Sequence, residues 1–172
     1  MSNLIINKVV NSGLVSFDLE EYHPIGERII YDLKENLFQG IILKEKDFRS
    51  FLKDHDWEQY RDKNIAITCS VDAIVPTWAY MLLSVKLEGI ANNVVFGDLE
   101  QLEIHLYTKV LDKLDFSAFT DEKVVIKGCS KINIPTTVYV DLTNRLKPFA
   151  KSLMFGEPCS TVPLYKKKVT RG

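Results

Sequence analysis

Residues 62–97 read DKNIAITCSVDAIVPTWAYMLLSVKLEGIANNVVFG, and the pattern returns 59 positions later, over residues 121–156, as DEKVVIKGCSKINIPTTVYVDLTNRLKPFAKSLMFG. Each copy contains a short apolar strand, a loop, a helix that opens at proline, and a second strand that ends at Phe-Gly. A strand–helix–strand unit of this length is a right-handed crossover between parallel strands. The sequence therefore predicts an α/β fold with two related β-α-β units in a parallel or mixed sheet. Ten of the 36 aligned positions are identical, namely Asp62/Asp121, Ile67/Ile126, Pro76/Pro135, Thr77/Thr136, Tyr80/Tyr139, Leu83/Leu142, Leu87/Leu146, Ala91/Ala150, Phe96/Phe155 and Gly97/Gly156.

We expect a single domain, because 172 residues is an ordinary domain length. A small β-rich N-terminal part is predicted for residues 1–61. The two repeat units span 62–98 and 121–157, with a connecting helix over 99–120 and a tail over 158–172. The tail contains the basic run Lys166–Lys168, which we interpret as solvated.

Local patterns predict the remaining elements. Phe48, Phe51 and Leu52 are spaced three and four residues apart, which predicts a helix over 47–55 with Asp47 as its N-cap. Asp98 suits the N-cap of the connecting helix, which should run to about Leu114. Strands are predicted within the N-terminal part over 13–19, 28–33 and 40–43.

The amino-acid composition disfavours several classes of function. The 22 basic and 23 acidic side chains leave a net charge of −1, so nothing in the overall charge favours nucleic acid or a membrane surface as partner. No apolar run reaches the roughly 18 residues of a spanning helix, and the N-terminus does not resemble a signal peptide. A cytoplasmic location is therefore expected, where structural disulfides are disfavoured.

Each of the three cysteines is followed by serine, at Cys69, Cys129 and Cys159. Cys69 and Cys129 follow the first strands of the two repeat units, and Cys159 follows the last strand of the second. If all these strands belong to one sheet, the three loops leave it at its carboxyl edge, where α/β proteins bind ligands. Thiolates bind zinc, iron and iron–sulfur clusters. The leading hypothesis is therefore a metal- or iron–sulfur-binding accessory protein.

Other side chains could complete such a metal site. Asp98 and Glu157 follow or end the two matched strands at the same predicted edge, and His23 lies in a loop among carboxylates. Three thiolates leave a fourth position open for one of these groups, for water or for substrate. The chain has no C-x-x-C pair, so this hypothesis depends on topology and not on a local zinc signature.

Two alternatives from other classes stay open. Cys69 and Cys129 precede helix starts, where the helix dipole lowers a thiol pKa, so a thiol enzyme or sulfur carrier is one alternative. The other is an interaction module without a small-molecule site, and self-association as a homo-oligomer is also open. The sequence lacks a Walker-type glycine loop, a G-x-G-x-x-G fingerprint and a G-x-S-x-G elbow, which disfavours nucleotide-binding and hydrolase functions.

Six further stretches of the sequence are informative, namely NKVVNSGLVSFDLEEYHPIGER (7–28), FQGIILKEKDFR (38–49), TCSVDAIVPTWAYMLL (68–83), VVFGDLE (94–100), VIKGCSK (125–131) and KSLMFGEPCSTVPLYK (151–166). Together they cover nearly the whole chain, and they resemble an uncharacterised bacterial family catalogued as domain of unknown function 2480. The family has no established activity, so the resemblance implies no catalytic roles. It does imply the Cys-Ser pairs at Cys69, Cys129 and Cys159, and it suggests partners among sulfur-mobilisation or iron–sulfur assembly proteins.

Overall fold

The computed structural model describes residues 7–9, 13–128 and 130–168. It confirms the α/β class, with helices and strands alternating through both repeat units. The strands are β1 Asn7–Val9, β2 Leu14–Phe17, β3 Arg28–Asp32, β4 Asn64–Thr68, β5 Asn93–Phe96, β6 Lys123–Ile126, β7 Ser152–Glu157 and β8 Ser160–Lys166. The helices are α1 Glu45–Asp54, α2 Thr77–Leu87, α3 Leu99–Leu111 and α4 Thr136–Leu146, and short 3-10 turns occupy Leu19–Tyr22, Leu33–Asn36, Glu58–Tyr60 and Phe116–Phe119.

The contacts divide the chain into two compact units, each built around one copy of the repeat. The first-copy unit spans 25–106, and the second-copy unit combines the described residues of 1–24 and 107–172. The first-copy unit contains the parallel sheet β3-β4-β5. The second-copy unit contains the sheet β1-β2-β6-β7-β8, in which β2, β6 and β7 are parallel and the outer strands are antiparallel. The expectation that both repeat units share one sheet is therefore wrong.

The two β-α-β units match closely in structure. Helices α2 and α4 begin and end at equivalent positions, and each opens with a proline at its N-cap. Asp62 and Asp121 both adopt a φ of +60°, and Gly97 and Gly156 have φ values of +135° and +128°. Unusual backbone conformations that recur at equivalent positions confirm the predicted internal repeat.

The repeat is larger than the sequence pattern predicts. Strand β3 pairs in parallel with β4, and β2 pairs in parallel with the equivalent strand β6. Each of these added strands ends in an Asp-Leu turn, in which Asp32 Oδ1 accepts from Lys34 N at 3.0 Å and Asp18 Oδ1 accepts from Glu20 N at 2.9 Å. The predicted N-terminal part thus supplies an equivalent third parallel strand to each sheet.

Several local predictions are corrected. Residues 40–43 do not form a strand, since Ile42 alone among them makes isolated bridges, to Phe38 and Ile74. Lys44, not Asp47, occupies the N-cap position of α1. The predicted tail contains β8, which pairs antiparallel with β7. The predicted strands over 13–19 and 28–33 are confirmed as β2 and β3.

Each unit has its own apolar core. Helix α2 buries Ala79, Leu83 and Leu87 against the first-copy sheet, with Phe48 and Ile65 in the same cluster. Helix α4 buries the equivalent residues of the second copy, and Phe17 packs against the rings of Phe116 and Phe119 in that unit. The helix faces that both copies share by sequence are therefore core faces, whose burial stabilises each unit.

Candidate functional site

The carboxyl edge of the first-copy sheet brings together a carboxylate, a thiol and hydroxyl groups. Asp32 ends β3 and accepts hydrogen bonds from both the backbone N (3.1 Å) and the hydroxyl of Ser70, which follows β4. The half-buried Cys69 donates its thiol hydrogen to the carbonyl of Val71 at 3.5 Å. The Cys69-Ser70 pair therefore has a structural role here, in which the serine ties the loop after β4 to the end of β3.

Tyr80 on α2 lies beside this edge. Burial raises the pKa of its phenol, and electrostatic repulsion of the phenolate by the nearby Cys69 and Asp32 side chains raises it further. Its ring meets that of Phe96 edge to face, with centroids 5.0 Å apart. In the second copy Tyr139 and Phe155 repeat this arrangement at 5.7 Å. The aromatic pair is therefore part of the duplicated scaffold.

The carboxyl edge of the second-copy sheet is charged. Lys127 follows β6 and donates to Asp18 Oδ2 at 2.8 Å, and Glu20 accepts from the backbone N of Lys131 at 3.1 Å. The hydrogen bond and charge of Asp18 raise the pKa of Lys127, with smaller contributions from Glu157 and Glu21. An open cleft of about 530 Å³ at this edge is lined by Asp18, Glu20, Glu21, Lys127, Ser130 and Lys131. An internal ion pair therefore replaces the serine–aspartate link of the first copy.

The structure places the described members of the predicted ligand set in two different units. Cys69 and Asp98 lie in the first-copy unit, whereas Cys159, Glu157 and His23 lie in the second-copy unit. Cys129 lies outside the described residues. The prediction that the three thiols leave one edge of one sheet is wrong, because β4 and β6 belong to different sheets, each paired with its own N-terminal strand. Among the residues that the structure describes, no three His, Cys, Asp or Glu side chains are grouped to hold a metal ion.

Several of these candidate ligands make other contacts in the structure. Asp98 caps α3, accepting from Glu100 N at 2.9 Å and Gln101 N at 3.1 Å, which confirms it as an N-cap. His23 Nδ1 lies 3.3 Å from the hydroxyl of Tyr107. Cys159 is exposed in the turn between β7 and β8. Zinc, iron or iron–sulfur binding therefore stays a prediction that these residues do not support, and metal analysis of anaerobically purified protein would check it.

The outer edge of β5 was not predicted from the sequence. This strand is the last of its sheet, and none of the described strands pairs with its outer side. Gly97 N donates to Ile67 O at 3.0 Å, so by strand alternation Val95 points its backbone groups toward β4. Val94 and Phe96 consequently direct their backbone N–H and C=O groups outward.

A mainly apolar groove runs beside this edge. We call it the β5 groove; it has a volume of about 460 Å³ and lies between β5 and α2. Several of its side chains are unusually exposed for apolar groups, with Phe96 at 68% and Met81 at 63%. Its lining residues are Ile67, Thr77, Tyr80, Met81, Ser84, Val94 and Phe96.

The equivalent groove of the second copy is covered by the chain itself. Strand β8 pairs with the outer side of β7, and its Leu164 lines a groove of about 250 Å³ together with Tyr139, Val140 and Phe155. The exposed residues Met81 and Val85 of α2 correspond to Val140 and Asn144 in α4, so the second copy is more polar at one of these two positions. The exposed apolar residues of α2 therefore indicated, in the sequence itself, a surface that further contacts would bury.

The hydrogen bonds that Ser70 donates to Asp32 can be tested by mutation, with Ser130 of the second copy as the control. Burial raises the pKa of Asp32, but the hydrogen bonds from Ser70 and Lys34 outweigh it, so the net pKa is lowered. The resulting stabilisation is present above the unfolded-state pKa and is lost as pH falls through the folded-state pKa. We expect Ser70→Ala to raise the pKa of Asp32, measured by an NMR titration of its carboxyl carbon. Ser130→Ala is the control, since the Ser130 hydroxyl accepts from Ile132 N instead. An unchanged Asp32 titration in Ser70→Ala would contradict this assignment.

Comparison with known proteins identifies the family. No described helix has the length and apolar character needed to cross a membrane. The chain has no match among curated proteins and none among solved structures. A family model described as "Protein of unknown function (DUF2480)" matches residues 3–167. Because this match covers nearly all of the 172 residues, the chain belongs to the DUF2480 family.

Proposed function

We propose that this protein is an interaction module that binds an extended polypeptide segment along the outer edge of β5. The observation that carries the proposal is the difference between the two copies: β8 covers the edge of β7, whereas the equivalent edge of β5 has no described strand beside it. Strand addition to an exposed sheet edge is a common mode of peptide recognition, in which main-chain hydrogen bonds supply affinity.

The β5 groove supplies the side-chain part of this recognition. In the second copy, Leu164 of β8 lies against Tyr139, Val140 and Phe155. The first copy has Tyr80, Met81 and Phe96 at the equivalent positions, and all three line the β5 groove. An apolar side chain of the bound segment would bury this exposed surface, which is the favourable term that drives such association.

A peptide with the sequence of β8, residues 160–166, tests the proposal directly. We expect saturable binding of a fluorescent, end-capped form of this peptide, titrated at protein concentrations below those at which the protein self-associates. Val94→Pro should weaken binding about fivefold, because it removes one outward N–H and a typical hydrogen bond contributes about 1 kcal/mol. Proline at such a position leaves the β4–β5 hydrogen bonds intact.

Matched variants distinguish a specific loss of peptide binding at the edge of β5 from a general loss of folding. Val94→Ala also shortens the side chain but keeps the N–H, so it should bind the peptide more tightly than Val94→Pro. Met81→Lys should weaken binding, whereas Val140→Lys, at the equivalent exposed position of the second copy, should not. Absence of peptide binding, or a peptide affinity that is unchanged by both Val94→Pro and Met81→Lys, would refute the proposed function.

A further inference from the structure

We infer that the segment bound at β5 is the β5 strand of a second copy of this chain, so that two copies form one continuous sheet. This inference rests on the proposed function and names its partner. It is carried by the geometry of the edge, the apolar surface beside it and the absence of charge on the strand. The arrangement is antiparallel, about a two-fold axis that passes through Val95.

The outward backbone groups are self-complementary. Val94 and Phe96 point their N–H and C=O groups away from β4 and are two residues apart. A two-fold axis through Val95 places Val94 of one copy opposite Phe96 of the other, in both directions. Each of these residues can then exchange both of its backbone hydrogen bonds, as antiparallel hydrogen-bonded pairs do. The symmetric contact closes on itself and leaves no further edge at this position.

In this arrangement the apolar surface on the α2 side of one copy lies next to the same surface of the other copy. Val94 and Phe96 lie on the same face of the strand, and both line the β5 groove. Phe96, Met81 and Val85 are 68%, 63% and 70% exposed. A two-fold axis normal to the sheet brings the α2 flanks of both copies to the same side. An exposed cluster of large apolar side chains is typical of a protein interface.

The chemistry of the other edge strands sets β5 apart. Natural sheets protect their edges with charged side chains or proline, and the other edge strands here carry such groups: Lys8 in β1, Arg28 in β3, and Pro163 in β8. Strand β5 reads NVVF and has neither. An uncharged strand is well suited to pair with itself, because a charged side chain near a two-fold axis would approach an identical charge.

Sedimentation equilibrium of the full chain over a concentration series tests this inference. We expect a monomer–dimer equilibrium for the wild type, weakened about tenfold or more by Val94→Pro because each dimer loses a main-chain hydrogen bond at two positions. Val94→Ala should dimerise more strongly than Val94→Pro. Met81→Lys should also weaken the dimer, and Val140→Lys should leave it unchanged.

Disulfide trapping tests the position of the axis. Directly opposed residues of antiparallel strands have Cβ atoms about 4.5–5.5 Å apart, which is close to disulfide geometry. Under mild oxidation, Val95→Cys should form a crosslink between the introduced cysteines, identified by peptide mass spectrometry. Val94→Cys is the control, because its introduced cysteine lies opposite Phe96 and should not crosslink to its own copy.

The outcomes separate this inference from the proposed function. A wild-type protein that stays monomeric overturns the inference. A dimer whose dissociation constant is unchanged by both Val94→Pro and Met81→Lys also overturns it. If the monomer still binds the β8 peptide in a Val94-dependent way, the interaction module stands and its partner is another chain. If the monomer binds no peptide, both conclusions fail.

Discussion

Gly156→Ala is expected to lower the free energy of unfolding by about 3 kcal/mol or more, from backbone strain together with overpacking. The residue has a φ of +128°, a conformation that is essentially restricted to glycine. A Cβ at this position would lie 2.5 Å from the carbonyl oxygen of Ser160. That oxygen belongs to the backbone of β8, which pairs with β7, so it cannot move away without disturbing the hairpin.

Gly97→Ala is the matched control in the first copy. Its φ is +135°, so alanine is strained there as well. The nearest atom to a new Cβ is the side-chain Cβ of Gln101 at 2.8 Å, and no described strand lies beyond β5. We expect a smaller loss of about 1–2 kcal/mol, mainly from backbone strain. Urea unfolding of both variants measures the difference, and equal losses would show that β8 is not held against β7 as described.

Leu83→Ala and Leu142→Ala are each expected to cost about 3 kcal/mol of stability, because a buried leucine shortened to alanine leaves a cavity. Both leucines are 0% exposed and occupy equivalent positions on α2 and α4. The matched control is Met81→Ala, at an exposed position of α2, which should change stability by about 0.5 kcal/mol or less. Denaturant unfolding checks all three. A loss below about 1 kcal/mol at Leu83 or Leu142 would contradict the burial of that helix face.

The internal repeat made the local structure predictable. Proline at the helix start, apolar positions on one helix face and Phe-Gly at the strand end occur in both copies, so each copy supports the interpretation of the other. The structure accordingly places α2 and α4 at the expected starts, after Pro76 and Pro135. These signals are local, since they depend on backbone preferences and periodicity within about ten residues.

The pairing of strands was not predictable in the same way. Strand β2 is four residues long and pairs with β6 more than 100 positions away, and a short apolar strand does not specify its neighbour. The cysteine hypothesis assumed that β4, β6 and β7 lie in one sheet, and this assumption is wrong because β4 belongs to a different sheet. Strand β8 was also missed, because Pro163 and the lysines that follow resemble a solvated tail.

The open edge of β5 could have been suspected from the sequence. Met81 and Val85 lie one helical turn apart, outside the core face formed by Leu83 and Leu87. Their counterparts in the second copy are Val140 and Asn144. Comparison of the two copies at surface positions thus indicates the difference that comparison at core positions hides.

The order of strands along the chain has a consequence for biosynthesis. The sheet of the first-copy unit is formed by one continuous segment, 25–106, whereas β2 of the second-copy unit must await β6, which is synthesised last of the parallel pair. Contacts between residues far apart in sequence form slowly, and domains generally fold as units from the N-terminus during translation. A ribosome-bound chain should therefore complete the three-stranded sheet while β1 and β2 are still without their partner β6.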